Sequence, residues 1–144
     1  MSPAQGCVPL PAVPGGARFD GVATVTVMAV DDQAVFRRVA RQLINSTEGF
    51  ELVAEASSGE EALALAAQVH PDLVLLDVRM PGLDGIETAR RLPEVAPGAV
   101  IVLISLERLA DLPSSIATAG VAAHVRKQEL SPGRLQGLWH LHGH

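Results

Sequence analysis

Three aspartates, a serine and a lysine each follow a short run of branched apolar residues. Val27-Met28-Ala29-Val30 leads into Asp31 and Asp32, Leu73-Val74-Leu75-Leu76 into Asp77, Val100-Ile101-Val102-Leu103-Ile104 into Ser105, and Ala122-Ala123-His124-Val125-Arg126 into Lys127. Carboxylates gathered in one place repel one another and raise their own pKa unless a cation joins them. A hard divalent ion resolves that conflict. Mg²⁺ takes one or two carboxylates, keeps several waters and completes its shell with a substrate phosphate. An ammonium is a compact counter-charge for such a phosphate, and a hydroxyl can donate to its oxygens. Brought together, the five residues describe a site for Mg²⁺ and a phosphoryl group. Each also has an ordinary role open to it: Asp31 and Asp32 can cap a following helix, Ser105 can cap another, and Lys127 can be a plain surface lysine.

Residues so far apart in sequence meet only if the fold gathers strand ends. Short apolar runs alternating with longer helical patterns read as buried parallel strands joined by helices. In an open sheet of that kind, ligands bind beyond the carboxyl ends of the strands, at the switch in strand order. The expected strands are 25–30, 50–56, 73–76, 100–104 and 122–126. The first helix places Val35, Phe36, Val39, Ala40, Leu43 and Ile44 at helical spacing, with Arg37, Arg38 and Arg41 opposite. The second opens on Ser58-Gly59-Glu60-Glu61, a capping box in which Ser58 takes the Glu61 N–H and the Glu61 carboxylate reaches back. Ala62, Leu63, Ala66 and Val69 face inward along it, and Pro71 marks its exit. The third begins near Gly85 after the turn Met80-Pro81-Gly82-Leu83-Asp84 and closes at Pro93 and Pro97-Gly98. A fourth is expected over 106–119 with Gly120 as its stop. A fifth is capped by Ser131-Pro132 and carries Leu135, Leu138 and Trp139 to the core. The reading is an α/β, (βα)5 flavodoxin-like, doubly wound parallel sheet with strand order 2-1-3-4-5. One domain over 22–141 follows a disordered Pro/Gly-rich leader, 1–21, and precedes a tail, 142–144.

Composition bounds the function. The chain has 144 residues, 48% hydrophobic and 3% aromatic with no tyrosine, so its core is built of Val, Leu, Ile and Ala. A net charge of -5 argues against direct nucleic-acid binding, which needs a basic surface. Cys7 has no partner for an internal disulfide, as suits a cytoplasmic protein, and no apolar stretch is long enough for a membrane span. His140, His142 and His144 alternate near the end, but no further ligand joins them in a closed site.

Asp31-Asp32, the run Leu73 to Met80, Pro81-Gly82-Leu83-Asp84-Gly85-Ile86-Glu87, Ser105, Gly120 and Lys127 resemble the receiver domain of two-component response regulators. Lys127-Gln128-Glu129-Leu130-Ser131-Pro132, where no proline follows the lysine, looks like the NarL/FixJ-type branch. The resemblance implies that Asp77 accepts a phosphoryl group from a phosphohistidine of a sensor histidine kinase. It implies Mg²⁺ on Asp32, Asp77 and the backbone carbonyl of Arg79, with Asp31 acting partly through water. Lys127 then pairs with the phosphoryl oxygens, and Ser105 moves toward them on activation. His124 stands where the family usually places an aromatic switch residue; it is either an ordinary packed histidine or a smaller polar switch that can respond to pH near neutrality. Arg79 and Glu107, two residues beyond Asp77 and Ser105, are expected to pair across the path of hydrolytic water and gate dephosphorylation.

The expected output is a switch in protein–protein contacts rather than catalysis, through an unknown downstream protein or a lost effector domain. Most NarL/FixJ-type regulators continue into a DNA-binding domain, whereas this sequence ends at His144. A homodimer through helices four and five and strand five is also expected, because Leu106, Leu109, Leu112 and Ile116 exceed one inward stripe unless all four pack on the sheet. The alternative is a constitutive binding module that is never phosphorylated. A phosphatase of the haloacid-dehalogenase type is disfavoured, since Asp77-Val78-Arg79 has arginine where a second aspartate is needed.

Overall fold

A computed structural model describes residues 24–143; the expected leader, 1–21, and His144 lie outside the described residues. Five parallel strands, β1 (Val25–Val30), β2 (Phe50–Ala56), β3 (Leu73–Asp77), β4 (Val100–Ser105) and β5 (Ala123–Arg126), form one sheet in the order β2-β1-β3-β4-β5. Helices α1 (Ala34–Asn45), α2 (Gly59–Val69), α3 (Gly85–Val95) and α4 (Pro132–His142) flank it. β3 is buried throughout, as a central strand covered on both faces must be.

Alternation along the strands feeds two cores. Met28, Val30, Val74, Leu76, Ile101 and Leu103 meet Ala62 and Ala66 of α2 and Ile86, Ala89 and Leu92 of α3. Val27, Ala29, Leu73, Leu75, Val102, Ile104 and Val125 meet Ala40 and Ile44 of α1 and Leu135 and Leu138 of α4. Asp77 continues the Leu73–Leu75 row, so it leaves the sheet on the α1/α4 side.

The helix starts follow their local chemistry. Ser58 Oγ accepts from the Glu61 N–H at 3.1 Å, and the Glu61 carboxylate takes the N–H and hydroxyl of Ser57, one residue earlier than the expected cap. Asp84 and Ser131 cap α3 and α4 in the same way, accepting from Glu87 N–H and Arg134 N–H. His70 ends α2 with a left-handed backbone, φ 46°, and Pro71 follows.

Three local expectations are corrected. No α-helix spans 106–119. Two 3₁₀ turns, Leu109–Asp111 and Ser114–Thr118, stand there instead. Pro113 lacks an N–H and drives Leu112 extended (φ -97°, ψ 159°), which breaks the helical ladder between them. Leu112 is still buried and Ile116 packs beside it, while Leu106 and Leu109 are exposed. Secondly, α3 does not close at Pro93 but runs through it to Val95, giving up the one hydrogen bond that an N–H at that position would make. Thirdly, Val35 and Val39 of α1 face solvent rather than the core. Phe36, Ala40, Leu43 and Ile44 already fill the stripe that the sheet can cover.

Candidate functional site

The carboxyl ends of β1, β3, β4 and β5 bring the predicted residues to one place. Asp31, Asp32 and Asp77 each offer a carboxylate oxygen, and these atoms lie within 4.8 Å of one another. Asp31 and Asp77 are buried, 1% and 4% exposed, whereas Asp32 is half-buried. Lys127, just past β5, reaches back so that its Nζ stands 2.5 Å from Asp31 Oδ2 and 3.5 Å from Asp77 Oδ1. One ammonium thus faces two buried carboxylates, and a deficit of positive charge is built into the cluster.

The start of α1 fixes Asp31. Its Oδ1 accepts from the backbone N–H of Gln33 at 2.8 Å, and its carbonyl accepts from Arg37 Nη1 at 2.6 Å. Gln33 rather than either aspartate occupies the cap position of the helix. Asp31 Oδ2, by contrast, is buried and meets no hydrogen-bond donor in good alignment among the described residues; Lys127 serves it as an ion pair. Burial pushes the Asp77 carboxyl up to about 7, and the neighbouring Asp31 and, more weakly, Asp32 charges push the same way. Lys127 and the backbone N–H of Arg79 oppose the rise without cancelling it. Desolvation therefore outranks the mutual repulsion that the sequence alone suggests.

The donor set fits a hard cation. It is all oxygen, two of its carboxylates are buried, and one buried oxygen lacks a well-aligned donor. Among the described residues no other group of three or more acidic, histidine or cysteine side chains is close enough to hold a metal ion.

Ser105 Oγ donates to the carbonyl of Glu107 at 2.8 Å and lies 2.8 Å from His124 Nε2. A hydroxyl has one proton, so with that proton on the Glu107 carbonyl the histidine must be the donor at Nε2. Burial lowers the His124 pKa, with Glu129 opposing. The neutral Nε2–H tautomer and the imidazolium both donate, so the contact itself requires no change of charge. Arg79 and Glu107 form the expected pair as a two-pronged fork, Nε to Oε1 at 2.8 Å and Nη2 to Oε2 at 3.1 Å, at the exposed rim. That bonding holds the Glu107 carboxyl below its ordinary pKa and raises that of the Arg79 guanidinium.

One partner escaped the sequence reading. The Phe36 ring, counted only as core, faces the Lys127 ammonium at 4.5 Å from its centroid. Its place one turn after Asp31-Asp32 hinted at nearness to the site but not at contact with a residue beyond β5.

The sequence profile of the response regulator receiver domain matches residues 27–137. The chain therefore belongs to the response regulator receiver domain family, and the matched residues are a signalling module of two-component systems. Response regulator GacA of Pseudomonas aeruginosa is 33% identical over 103 residues, covering 72% of this chain and 48% of that protein. The nitrate/nitrite response regulator protein NarL of Escherichia coli is 40% identical over 81 residues, 56% of this chain and 38% of that protein. The chain thus spans half or less of the length of these curated relatives. Among solved structures, a LuxR-family two-component response regulator from Aurantimonas sp. SI85-9A1 superposes with a TM-score of 0.70 at 31% identity, covering 79% of this chain and 81% of that one. The receiver domain of AraT from Geobacillus stearothermophilus gives 0.66 at 28%, covering 80% and 89%. Receiver domains partner with histidine kinases, and the acidic triad is of the kind at which they hold Mg²⁺. Among the described residues no helix is long and apolar enough to cross a membrane.

Proposed function

We propose that this chain is a phosphorylatable receiver of the NarL/FixJ-type branch that takes a phosphoryl group on Asp77 from a sensor histidine kinase in the cytoplasm. The observation that carries this reading is the buried Asp31–Asp77–Lys127 cluster at the ends of β1, β3 and β5. An Asp77 carboxylate oxygen attacks phosphorus, the phosphorus–nitrogen bond of the phosphohistidine breaks, and the imidazole departs with the electron pair. Asp32, Asp77 and the Arg79 carbonyl, with Asp31 partly through water, would hold Mg²⁺, which would supply the positive charge that the phosphoryl oxygens demand in such a transfer. Lys127 leaves Asp31 for those oxygens. Ser105 gives up its bond to the Glu107 carbonyl to donate to them, and His124, bonded to the same hydroxyl, relays that movement to β5. Residues 22–141 act as one domain. Its output is a contact with a downstream protein, an effector domain or a second copy, and the exposed Leu106 and Leu109 with β5 and α4 form the proposed surface. Light scattering with and without beryllofluoride tests the homodimer, which an unchanged monomeric mass rules out.

Incubation with acetyl phosphate and Mg²⁺, read by intact mass, tests the central reading. One added phosphate that disappears when the divalent ion is chelated is the expected result, and no gain points to the constitutive module. Mg²⁺ also raises the melting temperature, because it binds only the assembled carboxylates. In Asp32→Ala that rise is lost, while the metal-free protein melts slightly higher with one repelling charge gone. A retained Mg²⁺ effect in Asp32→Ala places the ion elsewhere.

The Arg79–Glu107 fork stands at the rim, where water must enter in line with the acyl phosphate. An exposed pair adds only about 0–1 kcal/mol to stability, yet in-line geometry is demanding and a weak obstruction slows it. Arg79→Ala and Glu107→Ala each speed loss of phosphate several-fold, and the double variant adds little to either. Wild-type decay in both single variants would remove the gate.

A further inference from the structure

The Lys127 ammonium is held on three sides. Asp31 Oδ2 lies 2.5 Å from Nζ, Asp77 Oδ1 lies 3.5 Å away, and the Phe36 ring presents its face with the centroid at 4.5 Å. Phe36 belongs to the first turn of α1 and is half-buried against the core that α1, α4 and the sheet share. The same turn grips Asp31 through the Gln33 N–H and Arg37 Nη1. The ring and the carboxylate are thus one rigid wall, and Lys127 comes to it from the far edge of the sheet.

We propose that Phe36 is a positioning residue for Lys127, its ring setting where the ammonium stands when a phosphoryl group arrives on Asp77; this rests on the reading of Asp77 as phosphoacceptor. Lysine carries its charge on a flexible four-carbon stem. Asp31 alone draws that charge away from Asp77, as the 2.5 and 3.5 Å separations record. The negative face of an aromatic ring attracts a cation without demanding one donor direction. The ammonium therefore shifts from Asp31 toward Asp77 along the ring without giving up a directional bond to it. The ring also keeps water from that side, so the charge acts on the phosphoryl oxygens with less screening.

Fluorinated phenylalanines at position 36 retain the ring's shape while draining its face of negative potential, which separates this role from core packing. The full-length chain is treated with acetyl phosphate and Mg²⁺, and the rate of phosphate gain is read by intact mass. The rate falls stepwise with each added fluorine. Phe36→Leu is slower by about threefold to tenfold, the range a partly desolvated cation–π contact implies, and Phe36→Trp restores the wild-type rate. Without metal or phosphate, the Lys127 Hε protons are shifted upfield by the ring current in wild type and Phe36→Trp, and the shift vanishes in Phe36→Leu. A labelled wild type with equal rates across the fluorinated series overturns the proposal, and so does a missing ring-current shift. A wild type that takes no phosphate overturns the reading of Asp77 and this role with it.

Discussion

Asp77→Asn takes up no phosphate under conditions that label the wild type, and above neutral pH it melts at a higher temperature than the wild type. The first result follows if Asp77 is the acceptor, since an amide oxygen is a poor nucleophile. The second follows from burial. The folded-state pKa of Asp77 is pushed up to about 7, chiefly by desolvation, whereas an unfolded aspartate titrates near ~4. Between those values the folded chain binds a proton that the unfolded chain does not. The stability tied to this group is therefore fully present below about pH 4 and is lost as pH rises through about 7. At pH 8 the ionised carboxylate costs roughly 2–3 kcal/mol, after allowing for water at the open side of the cluster. Asparagine removes that cost, which is roughly 5–10 °C in melting temperature for a domain of this size. Melts of both proteins from pH 4 to 8 without divalent ions show a difference that opens as pH rises and closes toward pH 4. Labelling of the mutant sinks the acceptor assignment, and coincident melts at pH 8 sink the argument from burial.

Gly85→Ala is expected to be the most destabilising single-methyl addition near the site. Gly85 opens α3, its N–H donates to the Val78 carbonyl at 3.0 Å, and a Cβ placed there would run into the backbone carbonyl of Asp77. That carbonyl cannot retreat, because β3 is pinned between β1 and β4. Overpacking against fixed backbone costs about 3 kcal/mol or more, a fall of ~10 °C in melting temperature. Phosphate uptake slows as well, since Gly85 and the start of α3 are forced away from the strand end that carries Asp77. Gly98→Ala is the control: a Cβ there meets nothing within 4 Å, and the effect stays within about 0.5 kcal/mol. Equal urea midpoints for the two variants would mean that the turn before α3 yields, and the clash argument fails.

The strands were legible because a buried parallel strand must be apolar on both faces, and runs such as 73–76 and 100–104 have no other place to go, whereas their order rested on the doubly wound fold that the alternation of strands and helices implies. The helix starts were legible where a hydroxyl or carboxylate had a backbone N–H within one turn, as at Ser58, Asp84 and Ser131. Conflicts between local signals were less so. Over 106–119 the apolar spacing predicts a helix and leaves Pro113 out of account, and the proline prevails because Leu112 still reaches the core between two short turns. At Pro93 the outcome was the reverse: α3 continues through the proline to Val95, with Ile86, Ala89 and Leu92 buried in the core on its inward face.

For the site, the sequence by itself determined which side chains gather. Asp31, Asp32, Asp77, Ser105 and Lys127 each follow an apolar run that reads as a parallel strand, so all five fall at the same edge of the sheet, and the strand order of the doubly wound fold makes their strands neighbours. The tertiary structure decided what each of them touches. Asp77 is governed by burial before repulsion, Ser105 is shared between the Glu107 carbonyl and His124, and Lys127 rests on Asp31 with the Phe36 ring beneath it. Periodicity assigns a residue to a face of its own element. Desolvation and ring contact depend on how far a neighbouring element approaches that face, and for α1 against the end of β5 the packed structure alone sets that distance.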